Sequence, residues 1–243
     1  MDEVSRVIRD YYDSTVEIEW NRVAGKPEFL LTCRMIDRYV RNGDSVLDIG
    51  GGPGQYSLYL AGKGCHVTLL DLSVKNTEFA EKQFACQGFA VNTIAGDARD
   101  ADRLISGRFD HILLMGPMYH LLEEGDRVDA VNAALTLLKP GGIIFVSFIN
   151  LFSGMIYAMR DKPDVLSEQS ENPFIQAIID NRNFAGFTFT HSYFALKDEI
   201  LPFMTQFPLE KLHLFGQEGI IAPCEDKIMS QPKEIIDLWL ELC

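Results

Sequence analysis

The 243-residue chain is poor in basic charge, in paired cysteines and in unbroken apolar stretches, and each shortage removes a class of function. Lys and Arg number 22 against 35 Asp and Glu, a formal net charge of −13. Such a surface repels phosphate backbones and anionic lipid, so no nucleic-acid partner is expected. The five cysteines, Cys33, Cys65, Cys86, Cys224 and Cys243, are scattered with no Cys-x-x-Cys pair. That spacing argues against structural zinc or a disulfide framework and points to reduced thiols in the cytoplasm. The start, Met1-Asp2-Glu3-Val4, has no basic region followed by an apolar core, so no secretory signal is read there. The longest apolar stretch, 143–159, is interrupted by Ser147, Asn150, Ser153 and Gly154. It reads as a buried strand running into a packed helix, and membrane insertion is not expected. No internal repeat or low-complexity tract is present.

What the chain does have is Val46-Leu47-Asp48-Ile49-Gly50-Gly51-Gly52-Pro53-Gly54. An apolar run ending in an acid and alternating glycines predicts a buried strand that turns into a loop without side chains, against which a ligand can lie. The helix predicted from about Gln55 to Lys63 would aim its N-terminal amides at that ligand. Gln55 stands where a dinucleotide-binding Gly-x-Gly-x-x-Gly loop needs its third glycine, which disfavours an NAD-dependent oxidoreductase.

Further landmarks follow in order. His66 to Leu70 is a short apolar run ending in Asp71, where an acid can accept hydrogen bonds from ribose hydroxyls. Val91 to Ala95 leads into Gly96-Asp97-Ala98; Phe109 to Gly116 reads as a fourth strand with Met115 at its end; Leu138-Lys139-Pro140-Gly141-Gly142 reads as a turn into a fifth. Together, over residues 45–149, these motifs resemble those of the class I S-adenosylmethionine (SAM) dependent methyltransferases, and most resemble the small-molecule, quinone-biosynthesis-like members. The resemblance implies an α/β, Rossmann-like fold: a mainly parallel twisted sheet with helices on both faces, N-terminal helices and a cap insertion after strand five. It also implies SAM as cofactor, with Asp48 toward the methionine ammonium, Gly50, Gly52 and Gly54 making room, Asp71 and Leu72 at the ribose, Asp97 and Ala98 at the adenine edge, and Met115 beside the adenosine. Asp48 can instead staple its loop, and Asp97 can instead cap the turn that follows it.

The flanks are read more coarsely. Residues 1–43 form a helical cover, 44–150 the SAM-binding core, 151–194 a cap or lid, and 195–243 complete the core sheet and add a C-terminal helix, all within one domain. Within these, Phe187 to Phe194 alternates as a strand or extended segment and Leu209 to Phe215 reads as a further strand, while Lys197 to Phe207 and Pro232 to Leu240 carry helical spacing. Tyr12 and Arg22 of the leading helices are candidates to touch the cofactor, although aromatic residues at helical spacing also make ordinary cores.

The expected activity is transfer of a methyl group from SAM to a small-molecule acceptor by in-line displacement. The runner-up is a non-catalytic SAM-binding or regulatory protein. His120, just after the fourth strand, is the candidate general base, its imidazole poised to take a proton near neutral pH; alternatively it packs the following helix. Tyr119, His191 and Tyr193 are candidates for the acceptor pocket, or for an edge that packs the cap. The aromatic-rich segment from Phe148 to Phe194 points to an apolar or aromatic acceptor. None of the histidines and cysteines has metal-ligand spacing, so no metal is expected.

Overall fold

The computed structural model describes residues 1–243, the side chain of Glu171 excepted. Helices α1 (Glu3–Val23) and α2 (Pro27–Ile36) lead into β1 (Ser45–Ile49). Strand and helix then alternate through α3 (Gln55–Gly62), β2 (His66–Asp71), α4 (Val74–Cys86), β3 (Asn92–Ala95), the single-turn α5 (Ala101–Leu104), β4 (Phe109–Leu114), α6 (Glu124–Leu137) and β5 (Leu138–Val146). The five strands make one parallel sheet in the order β3-β2-β1-β4-β5. Parallel neighbours need a crossover between them, and the intervening helices supply it.

Both faces of this sheet are covered, and the period of two along each strand says by what. Leu47, Ile49, Leu70, Ile112 and Leu114 pack with Ala101 of α5 and with Ala130, Val131, Ala134 and Leu137 of α6. Their sequence neighbours Val46 and Leu113 point to the opposite face, toward Ile36 of α2 and Leu60 of α3, where Leu69 meets Phe84 of α4. Ser73 caps α4 by accepting a hydrogen bond from Asn76 N at 3.0 Å, an interaction worth about 1 kcal/mol. Its place two residues after Asp71 fixes where β2 stops and α4 begins, and so where the acid lies.

After β5 the alternation ends. β6 (Ile149–Asn150), α7 (Leu151–Asp161), α8 (Asn172–Ile179), β7 (Phe184–Phe187) and β8 (His191–Ala195) gather round a small core of Leu151, Phe174, Ala177, Phe184 and Phe194. The strands form a separate sheet, β6-β8-β7. The continuous strand expected over 187–194 is instead the tip and second arm of a hairpin, with Phe187 paired to His191 across a three-residue turn. Then come α9 (Lys197–Met204), α10 (Glu225–Met229) and α11 (Lys233–Glu241).

The expectation that 195–243 completes the core sheet is not met. Residues 209–215 form no strand, and β5 is the sheet's edge. An apolar run alone could not decide this, because it suits a cavity wall as well as a ladder. Leu209, Leu212 and Leu214 line a cavity beside β5. Side chains hold the segment there: His213 hydrogen-bonds Tyr39, and Gln217 bonds Ser147 and, at 3.0 Å, Thr32.

Candidate active site

The loop after β1 is bent back over the end of β2. The amides of Gly50 and Gly51 both donate to Leu70 O, at 2.7 and 3.3 Å. Gly52 and Gly54 both have left-handed backbone, φ +56° and +94°, yet serve different ends. At Gly52 an added Cβ would find only Asn76 Nδ2, 4.0 Å away, because that side of the residue faces a cavity. At Gly54 it would strike Phe84 Cζ at 2.8 Å. Gly54 therefore lets α3 pack against α4 and is absent from the cavity wall, contrary to its assignment among the cofactor contacts.

The cavity has a volume of about 150 Å³ and opens at the carboxyl ends of β1, β2 and β4, where an open parallel sheet binds its ligands. Asp71 is buried there and accepts from Gly52 N at 2.8 Å, Ser73 N at 2.9 Å and Asn76 Nδ2 at 3.1 Å, which ties the glycine loop to the start of α4. Burial raises its pKa despite those donors. Asp48, 2% exposed, accepts from Ser57 Oγ at 2.8 Å; burial lifts its pKa to about 7, the Ser57 bond opposing and the Asp71 charge adding. A carboxyl so placed is readily protonated, and a cation beside it would favour its ionised form. Asp97 also lines the cavity, but both its oxygens are engaged by Arg99: Oδ1 with the amide at 3.0 Å and with Nε at 3.0 Å, Oδ2 with Nη2 at 2.6 Å. Arg99 reaches on to Asp2, Ser5 and Asp126. The carboxylate of Asp97 thus caps the turn and anchors α1.

α1 closes the cavity from above through Ser5, Ile8, Tyr12, Glu19, Arg22 and Val23. Its axis breaks at Thr15 (φ −122°, ψ 16°), so the two halves of the helix can follow the curved rim. Asp13 accepts from Ser73 Oγ at 2.5 Å, and Gln55 Nε2 donates to Trp20 O at 2.9 Å. Gln55, where a dinucleotide loop would have glycine, is thereby used to hold the cover. Arg22 pairs with Glu19 at 2.8 Å and Glu28 at 3.2 Å; burial disfavours its charge, but these two carboxylates outweigh burial and raise its pKa.

Comparison with known proteins agrees with this geometry. A methyltransferase domain family matches residues 46–142. The ubiquinone biosynthesis O-methyltransferase of Aromatoleum aromaticum is 30% identical over 164 residues, 65% of this chain and 66% of that protein. Its counterpart in Caulobacter vibrioides is 35% identical over 108 residues, 44% and 42% of the two chains. The chain thus spans between 42% and 66% of the length of these two relatives. The chain belongs to the class I SAM-dependent methyltransferases. Among solved structures, the magnesium protoporphyrin IX methyltransferase of Synechocystis PCC 6803 superposes with TM-score 0.55 at 16% identity, covering 84% of this chain and 88% of that one. A SAM-dependent methyltransferase of Methanosarcina mazei gives 0.52 at 20% identity, covering 71% and 82%. At such identities the likeness is one of fold.

The residues of this methyltransferase fit its cofactor on the structure's own terms. Gly52 leaves open the space a side chain would fill, Asp48 is an acid in want of a cation, and Asn76 Oδ1 is buried at the cavity wall with no partner among the described residues. Of the residues read from sequence, Tyr12, Arg22, Asp48, Gly50, Gly52, Asp71, Leu72, Asp97, Ala98, Met115, Tyr119 and His120 come together around the cavity.

His191 and Tyr193 do not line it, nor the larger cavity beside it. The ring of Tyr193 lies under the guanidinium of Arg127, 3.7 Å from its centroid, and His191 offers its backbone carbonyl to His120. Glu19, Glu28, Gln55, Tyr56, Asn76 and Gln217 also line the smaller cavity and were not singled out. Tyr56 and Asn76 follow directly from the loop and from the Ser73 cap, so spacing could have found them; Gln217 arrives from a segment with no local signal.

Proposed function

We propose that this chain transfers the methyl group of SAM to a hydroxyl of a small, largely apolar or aromatic molecule, without a metal. The observation that carries this reading is the meeting of two cavities. The cofactor cavity shares Tyr12, Met115 and Tyr119 with a second cavity of about 1650 Å³, whose wall includes Tyr39, Phe145, Phe148, Ile156 and Tyr157. Such a wall suits an apolar acceptor, and the similarity to ubiquinone biosynthesis O-methyltransferases supports oxygen as the nucleophile.

When bound, SAM supplies a methyl group activated by its sulfonium. The chain's part is then to align, to exclude water and to manage a proton. Asp48, Asp71 and Asn76 would hold the cofactor's polar groups, and α1, latched by Asp13 and Gln55, covers it. Among the described residues no three His, Cys, Asp or Glu side chains gather as a metal site, and Asp110 is bound by Ser45 and Lys139 at the far, amino end of β4. The cytoplasm is the compartment proposed; all five cysteines are free, and among the described residues no helix is long and apolar enough to cross a membrane.

Calorimetry with SAM and S-adenosylhomocysteine tests the cofactor, and release of S-adenosylhomocysteine in the presence of 4-butylcatechol tests the acceptor class. Binding without turnover overturns the acceptor reading; no binding overturns the whole. Loss of turnover with a chelator, restored by a divalent ion, overturns the metal-free reading.

A further inference from the structure

His120, the base expected from sequence, lines the cofactor cavity but not the larger one; Tyr12 lines both. Tyr12 Oη lies 2.6 Å from His120 Nε2, and His120 Nδ1 lies 3.0 Å from His191 O. These two bonds settle the protons. A backbone carbonyl only accepts, so Nδ1 carries the ring hydrogen; in a neutral imidazole Nε2 is then bare, and the hydroxyl of Tyr12 donates to it. The ring is neutral because burial lowers the His120 pKa to about 4, the His191 bond opposing.

The phenol is held rather than merely near. Tyr12 is edge-on to Tyr11 at 5.2 Å and to His120 at 5.2 Å. The next residue, Asp13, is fastened to Ser73 Oγ and, at 3.2 Å, to Lys75 N. Behind His120, Arg127 binds the carbonyls of Leu121 and Leu122 at 2.6 and 2.8 Å and covers Tyr193, so one buried side chain braces both His120's own loop and β8, the strand whose His191 carbonyl bonds the ring. With its hydrogen committed to His120, the Tyr12 oxygen keeps lone pairs free to accept a hydrogen bond from a hydroxyl in the larger cavity.

We propose that Tyr12 is the catalytic group that takes the acceptor's proton and that His120 stands behind it as that proton's destination, an inference that rests on the hydroxyl-acceptor reading above. The acceptor's O–H bond breaks as its proton passes to Tyr12 Oη, while the Tyr12 proton passes to His120 Nε2. The acceptor oxygen gains the methyl group, and the electron pair of the broken S–CH3 bond stays on sulfur. One positive charge enters the step as sulfonium and one leaves it as imidazolium, so no net charge is created in a buried site. Burial makes the imidazolium an unstable resting form, and the proton returns to solvent when the product leaves.

The test compares wild type, Tyr12→Phe, His120→Gln and the double variant on 4-butylcatechol, un-ionised at neutral pH, and on 4-nitrocatechol, which ionises unaided. Each single variant should lower kcat on 4-butylcatechol about 100-fold, within the range of general acid–base catalysis. The double variant should be no worse than the singles by more than about threefold, because residues acting as a unit are not additive. On 4-nitrocatechol the losses should stay below about tenfold, since the proton is already gone. Both residues line the cofactor cavity, so SAM affinity is measured beside each rate and kcat is compared at saturating SAM. Equal losses on both catechols, additive losses, or full activity of Tyr12→Phe would overturn the relay and leave Tyr12 a structural aromatic. Nitrogen-15 spectra of the wild-type imidazole give a readout that needs no turnover: a His120 ring protonated on Nε2 overturns the proposal. If wild type binds SAM yet methylates neither catechol, the relay falls together with the hydroxyl-acceptor reading; if it does not bind SAM, the cofactor assignment falls first.

Discussion

Residues 45–149 and residues 150–243 solve different problems with the same alphabet. In the first region Val46, Leu47, Ile49, Leu69, Leu70, Ile112, Leu113 and Leu114 are wholly buried, and the site hangs on the strand ends that these residues fix. In the second, Phe152, Tyr157, Leu166, Ile179, Phe187 and Ile220 are exposed, and others such as Ile156, Ile200 and Leu201 line a broad cavity. A cofactor loop is made of backbone directions, and few residue types can take them: a glycine where φ is positive, an acid where a strand stops. An acceptor wall is made of side-chain volume, which many residues supply equally well. The difference suggests that the two regions are separable in energy, the core carrying cofactor affinity and the cap carrying acceptor fit.

The largest effect that would sharpen this separation is expected at Phe174. Its ring lies 5.2 Å from Phe184 and 5.0 Å from Phe194 at the centre of the cap's small core. Phe174→Ala should cost about 4 kcal/mol of cap stability, as large-to-small changes among buried aromatics do. Hydrogen exchange should show β7 and β8 opening while β1, β2 and β4 stay protected. SAM affinity within about threefold of wild type is expected, since distant sites act nearly independently; a larger loss would show that the two regions fold as one.

The reverse experiment is Gly116→Ala. Gly116 sits where the loops after β4 and β1 cross, and an added Cβ would lie 2.6 Å from Gly50 O, a backbone atom with nowhere to yield. Overpacking of this kind costs about 3 kcal/mol. Both residues line the cofactor cavity, so SAM affinity measured by calorimetry should fall with stability, while the hairpin of the cap keeps its protection. Unchanged SAM affinity in a folded variant would mean that the loop crossing does not set the cofactor site.

The same contrast explains what could be read from sequence. Asp48, Asp71 and Ser73 were legible because each stands at a strand end or a helix start, positions that residue type and spacing determine together. Gly54 was misassigned because a positive φ looks alike in sequence whether it frees space for a ligand or for Phe84. His120 was found but its partner was not: nothing local says that Tyr12, 108 positions earlier, would lie within hydrogen-bond reach of its ring. The strand expected over 209–215 failed for a related reason, since Leu209, Leu212 and Leu214 line a cavity and pair with no ladder. Long-range partners decide such cases, and one strand's pattern does not contain them.

The smallest expected effect bears most directly on what the core region does for the cofactor. Burial holds the pKa of Asp48 near 7, far above its usual value of 3.8, with the Ser57 bond opposing and the Asp71 charge adding. A carboxyl with a raised pKa contributes stability to the cofactor-free fold while it is protonated, and that contribution is lost as pH rises from about 4 through 7. The methionine ammonium of SAM favours the ionised form, so binding below pH 7 must expel a proton. Affinity should therefore drop about tenfold, or about 1.4 kcal/mol, for each pH unit below about 6 and level off above 7.5. Asp71, also raised by burial, can only steepen the slope. Calorimetry in buffers of different ionisation enthalpy counts the expelled proton directly, and Asp48→Asn should flatten the profile at the wild type's low-pH affinity. If wild-type affinity is flat from pH 5 to 8, or if the Asn variant keeps the slope, then Asp48 remains a neutral staple for Ser57 and the ammonium is held elsewhere on the loop.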